Sequence, residues 1–141
     1  MASFNKINAF VENLAEKVHN LQSDTLKILL TNTAPTAANT VKADLTEISA
    51  GNGYSAGGAT ATVSASSQTS GTYKLVLDDL TVTAAGGSVG PLRYFVLYND
   101  TPTSPADPLI GWWDYGSSIT LADGESVTVD FSASTGALQI A

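Results

Sequence analysis

Four groups of residues could carry chemistry: one histidine, one serine among glycines, a set of carboxylates, and two adjacent tryptophans. His19 is the only histidine and there is no cysteine, so imidazole catalysis or a histidine metal site would rest on that side chain alone. Its place in a helical period reads as a polar residue on a helix face. Gly86-Gly87-Ser88-Val89-Gly90 matches the pattern of a nucleophile elbow, which needs a strand before the serine and a helix after it. Pro91 and the apolar run LRYFVLY follow instead, so the pattern reads as a loop between strands. Asp78, Asp79, Asp100, Asp107 and Asp114 invite comparison with a calcium loop or a paired-acid active site. No D-x-[DN]-x-[DN]-G run is present, and acids at strand ends are ordinary turn formers. The expectation is a chain without catalytic, cofactor-binding or metal-binding residues, and therefore not an enzyme.

Trp112 and Trp113 are more informative. Neighbouring residues in a strand point to opposite faces, so at most one indole enters the core from a one-sided sheet. The other lies against a partner, or the strand is covered on both sides. The same alternation groups Phe95 with Arg93 and Leu97, and Tyr94 with Val96 and Tyr98.

These residues must be held by two kinds of element. Residues 4–21 carry apolar side chains at helical spacing, namely Ile7, Phe10, Val11, Leu14, Val18 and Leu21, with Ser3 as the N-cap. From residue 25 the period becomes two. Strands are expected at 25–31 (TLKILLT), 44–49, 60–67, 72–77, 80–84, 92–98, 109–115, 118–121, 126–131 and 137–140, separated by Gly, Pro, Asn and Asp. The predicted organisation is an N-terminal amphipathic α-helix over 1–22 and one mainly-β domain over 23–141, a β-sandwich or jelly roll. A helix tethered at one end packs either on its own body or on a partner. Its apolar face (Phe4, Ile7, Phe10, Val11, Leu14) and the aromatic set Trp112, Trp113 and Tyr115 are the candidate partner-binding residues.

Composition narrows the field further. Only 13% of the 141 residues are charged, about half the usual share, and the net charge is −7. The six cations, Lys6, Lys17, Lys27, Lys42, Lys74 and Arg93, are scattered, which argues against nucleic acid and against an anionic membrane surface. Glu12, Glu16 and Lys17 interrupt any signal-like apolar run, and no stretch approaches the length of a membrane-spanning helix. With no disulfides available, stability must come from a core or from partner subunits.

Several segments taken together resemble a family. The opening SFNKINAFVENLAEKVHNL with SDTLKILLTNTAP, the loop ADLTEISAGNGYSAGG, YFVLYNDT, and LIGWWDYGSSITLADGESVTVDF are similar to small virion proteins of tailed bacteriophages that decorate, or cement, the capsid. The resemblance runs from about Ser3 to Phe131. It implies a β-sandwich or jelly-roll protein on the outer surface of the head, present in many copies, made in the host cytoplasm and bridging major capsid protein subunits. A homo-oligomer, trimer or dimer, would match the local symmetry of such a shell. The rival expectations are a tail or receptor-binding accessory protein, a carbohydrate-binding module using Trp112, Trp113 and Tyr115 as a stacking platform, and a hydrolase built on Ser88.

Overall fold

The computed structural model describes residues 2–141. It is mainly β, with 47% of residues in strands and 8% in helices, and every pairing within its sheets is antiparallel. The chain begins with a two-residue strand β1 (Asn5–Lys6) and the helix α1 (Asn8–Ala15), followed by β2 (Leu26–Thr31) and a 3-10 turn at Lys42–Asp44. Strands β3 (Ala59–Ala61), β4 (Val63–Thr69), β5 (Thr72–Leu77) and β6 (Leu80–Thr83) come next. The two longest strands, β7 (Val89–Asn99) and β8 (Leu109–Leu121), precede β9 (Ser126–Val129) and β10 (Leu138–Ile140).

Three sheets result: a five-stranded one in the order β1-β8-β7-β2-β3, a three-stranded one in the order β10-β5-β4, and the pair β6-β9. All three feed one apolar core, with Leu30, Leu97 and Trp113 from the first meeting Leu75 and Leu77 of β5 and Val127 and Val129 of β9. The middle of the large sheet is buried on both faces, as shown by Phe95, Val96, Leu97 and Tyr98 in succession on β7. Such a strand reads as a continuous apolar run rather than an alternation, which explains YFVLY.

The expected helix over residues 4–21 is shorter than its apolar period. Asn5 and Lys6 extend to pair with Trp112 and Gly111 of β8. The Ile7 amide then donates to the Ile110 carbonyl at 3.1 Å, and the Asn8 amide donates to Ala37 O, replacing a side-chain N-cap. At the other end Lys17 takes φ 66°, with Val18 N–H donating to Asn13 O at 2.8 Å and Lys17 N–H to Leu14 O at 3.4 Å. That is the pattern of a Schellman cap with lysine in place of the usual glycine. Val18, His19 and Leu21 are therefore reached through a turn.

The expected strand over 44–49 is likewise absent. Asp44 accepts hydrogen bonds from the amides of Thr40 and Val41 and the hydroxyl of Thr40, which winds the chain into the 3-10 turn. The two strands expected at 109–115 and 118–121 form one, β8, with Gly116 at φ 103° inside it.

Candidate functional site

The candidate partner-binding residues divide into interior and surface. Ile7 and Phe10 are fully buried, and Leu14 and Phe4 are half-buried against the same core. The apolar side of α1 therefore packs on its own chain, leaving Val11 exposed at 50%. Trp113 is 3% exposed, whereas Trp112, on the opposite face of β8, is half-buried against the core. Tyr115 is 50% exposed. Of the eight, Val11 and Tyr115 are the most exposed, each half open to solvent. The three rings of the expected stacking platform do not share one exposed face.

Trp113 anchors an aromatic cluster. The Phe4 and Phe131 rings lie 5.3 Å from it, centroid to centroid, and Tyr115 lies 6.5 Å from Phe95. Phe4 reaches Trp113 by crossing Gly111, where a β-carbon would collide with the Phe4 ring and stand 2.6 Å from Asn5 O. Glycine at 111 is thus what lets the N-terminal strand close over β8. The Trp113 Nε1–H is buried without an acceptor among the described residues.

Trp113 and Tyr115 also form the wall of a groove between β8 and β9. One section, of about 290 Å³, runs past Phe95, Asp114 and Asp130; the next, of about 390 Å³, runs past Ile119, Leu121 and Glu125. Tyr115 and Thr128 line both. Asp114 is held by Arg93, which donates from Nε at 2.8 Å and from Nη2 at 3.1 Å. That guanidinium, with the Gly116 amide, keeps the Asp114 carboxyl below the usual carboxylate range.

His19 is not a helix-face residue. It is 6% exposed, lies beyond the helix, and its ring is tilted against that of Phe10, centroids 5.3 Å apart. Its Nδ1 accepts from Asn99 Nδ2 at 3.1 Å, and Asn99 also donates to Asp24 at 2.7 Å. Burial pushes the imidazole down to about 4, against a weaker upward pull from the Asp24 carboxylate. The neutral ring has its Nε2–H buried without a partner among the described residues. Nothing in composition or spacing singled out Asn99, the fully buried polar residue that organises this corner.

A second polar network fastens the loop between β2 and β3. Leu30 N–H, beyond the end of β3, donates to the Tyr54 hydroxyl at 3.1 Å, which donates to Glu47 at 2.7 Å. Glu47 also accepts from the Gly57 amide at 2.6 Å, and Tyr98 donates its hydroxyl to Gly57 O. Desolvation raises both phenols well above the ordinary tyrosine value. Every polar group in this network is spent on holding backbone in place.

The serine pattern is laid out as a bend running into β7, with Ser88 O accepting from Asn52 Nδ2 at 3.0 Å and Gly86 N–H donating to Asp123 at 2.9 Å. Asp79 accepts the Phe131 amide at 2.8 Å, Asp100 pairs with Lys27 at 3.2 Å, and Asp107 with Lys42 at 3.9 Å. Among the described residues no group of three or more His, Asp or Glu is placed to hold a metal ion, and no helix is long and apolar enough to cross a membrane. Comparison with protein-family models, with curated proteins and with solved structures returns no match to this chain.

Proposed function

We propose that this chain is a structural virion protein that decorates and stabilises a tailed-bacteriophage capsid, with a β-sandwich body bridging major capsid subunits. The reading is carried by the resemblance of five segments to such proteins. Those segments make up α1, β2, the loop fastened by Tyr54 and Glu47, most of β7, and β8 with β9. The chemistry of the surface supports it. The exposed faces of β4, β6 and β9 are furnished with hydroxyls, which pair with each other as Thr81–Thr128 at 2.9 Å and Thr83–Ser126 at 2.7 Å. Such faces are cheaper to desolvate against a protein lattice than charged ones. In this account a dimer or trimer seats many weak contacts at once, and avidity supplies the retention.

The experiment is addition of the purified chain to heads lacking it, followed by sedimentation. Saturable binding at hundreds of copies per head, with greater resistance of the heads to heat, is the expected outcome. Binding at a dozen copies or fewer would favour a tail position, and no binding would remove the proposal (copy numbers are order-of-magnitude, from lattice symmetry).

A further inference from the structure

We infer that two copies of this chain associate through the open edge of β4, which pairs antiparallel with β4 of the second copy about a two-fold axis at Ser67. Pairing of this kind needs no capsid, so it stands or falls apart from the decoration reading.

The hairpin of β4 and β5 fixes which backbone groups are free. Its loop is the two-residue turn Ser70-Gly71, with φ 50° and 84°, so Thr69 and Thr72 exchange both of their backbone hydrogen bonds. The register is regular from Thr69 back to Ala65, which makes Ser67–Lys74 and Ala65–Val76 the next bonded pairs. Ser66 and Gln68 fall between them, with amides and carbonyls turned away from β5. The far edge of β5 agrees: Leu75, opposite Ser66, gives its carbonyl to the Ala137 amide at 2.8 Å, away from β4. Strand β4 ends its sheet, and among the described residues no hydrogen bond joins the Ser66 or Gln68 backbone to another element.

The sequence leaves this edge without the usual protection. The other strands that end a sheet are short: two residues in β1, three in β3 and β10, four in β6 and β9. Strand β4 has seven, holds no proline, and is bulged only at its start, between Val63 and Ala65. No charged residue occurs from Ile48 to Tyr73, in a chain of net charge −7. Monomeric proteins keep such edges apart with lysine, proline or a bulge. Here two copies of an acidic protein can meet where neither carries charge.

The spacing of the free groups selects a second copy as the occupant. They lie symmetrically about Ser67. A half-turn there sets Ser66 against Gln68 of the second copy and Gln68 against its Ser66, so every outward amide and carbonyl finds a partner. Ala65 then lies beside Thr69 of the second copy, and Ser67 beside its counterpart, all small, uncharged and exposed. Hydroxyl pairs across neighbouring strands already occur within the chain, at Thr81–Thr128 and Thr83–Ser126. One sheet would run from β10 of one copy to β10 of the other.

Sedimentation equilibrium of the full chain between about 1 μM and about 1 mM tests this. The mass should rise from 14.5 kDa to twice that value, with a dissociation constant on the order of 10–100 μM for so small an interface. Over the same range the Ser66 and Gln68 amides of the unmodified chain should gain protection from hydrogen exchange. Ser67→Glu and Ser67→Lys each set like charges face to face and should weaken association at least about tenfold; an equimolar mixture of the two should recover it. Far-UV circular dichroism and the urea midpoint of both variants should match wild type, since Ser67 is exposed. A mass fixed at 14.5 kDa up to about 1 mM would overturn the inference. So would association undiminished in both variants, or amides at 66 and 68 that exchange equally fast at every concentration. Head binding by a strictly monomeric chain would sink the pairing and leave decoration standing. Dimers that ignore heads would do the reverse.

Discussion

Acidification should destabilise this protein through one side chain, His19. In the folded state its pKa lies at about 4, against 6.5 for a free imidazole. A group whose folded value is depressed in this direction takes up a proton more readily when unfolded. The stability tied to the neutral ring is present above pH 6.5 and drains away as the pH falls towards 4. At about 1.4 kcal/mol per pKa unit the ceiling is about 3 kcal/mol, and between about pH 7.5 and 4.5 the linkage is worth about 2.5 kcal/mol. Screening by solvent removes part of this, so about 2 kcal/mol is the working expectation. The structural reason is local: protonating Nδ1 sets a donor against the Asn99 amide that now donates to it. The carboxyls of Asp44 and Asp114 are held low by their hydrogen bonds, and their stabilisation is lost only below this window. Urea unfolding followed by tryptophan fluorescence at both pH values, for wild type and His19→Gln, isolates the effect. Wild type should lose about 2 kcal/mol more than the variant between the two conditions. Equal losses in the two proteins would refute the assignment.

Other substitutions probe the packing. Tyr54→Phe strands the buried Leu30 amide and removes the donor to Glu47, and should cost about 2 kcal/mol in urea unfolding. Gly111→Ala drives a methyl into the Phe4 ring and Asn5 O, and should cost about 1–3 kcal/mol while exposing Trp113 to fluorescence quenchers. Trp113→Ala empties the centre of the Phe4–Phe131 cluster and should cost about 3–5 kcal/mol. Deleting residues 1–21 removes Ile7, Phe10 and Leu21 from the core, so the remainder should lose its cooperative unfolding transition by calorimetry.

Much of the β architecture was legible because strand signals are local. The runs TLKILLT and TYKLVL become β2 and β5, and the Gly and Asp turn residues fall where the chain reverses. The N-terminal helix was over-read for an identifiable reason. Its apolar period continues through Val18 and Leu21, but a lysine adopts the left-handed cap where glycine would have announced the end. The shortening at Asn5 was invisible because it depends on pairing with Trp112, more than a hundred residues away. Strand alternation could say that Trp112 and Trp113 diverge, but not which enters the core; Phe4 and Phe131 decide that through contacts distant in sequence. The groove was illegible for the same reason, since it exists only because β9 leaves β8 to pair with β6. The interior place of His19 is illegible in the sequence because its partner Asn99 lies eighty positions along the chain.

The central claim is that this chain sits on the outside of a phage head, and an electron cryo-microscopy map of virions that carry it tests this most directly. The account predicts density for the β body at every equivalent position of the shell, in contact with two or more major capsid subunits. Density confined to the tail, or a shell surface bare of this chain, would contradict it.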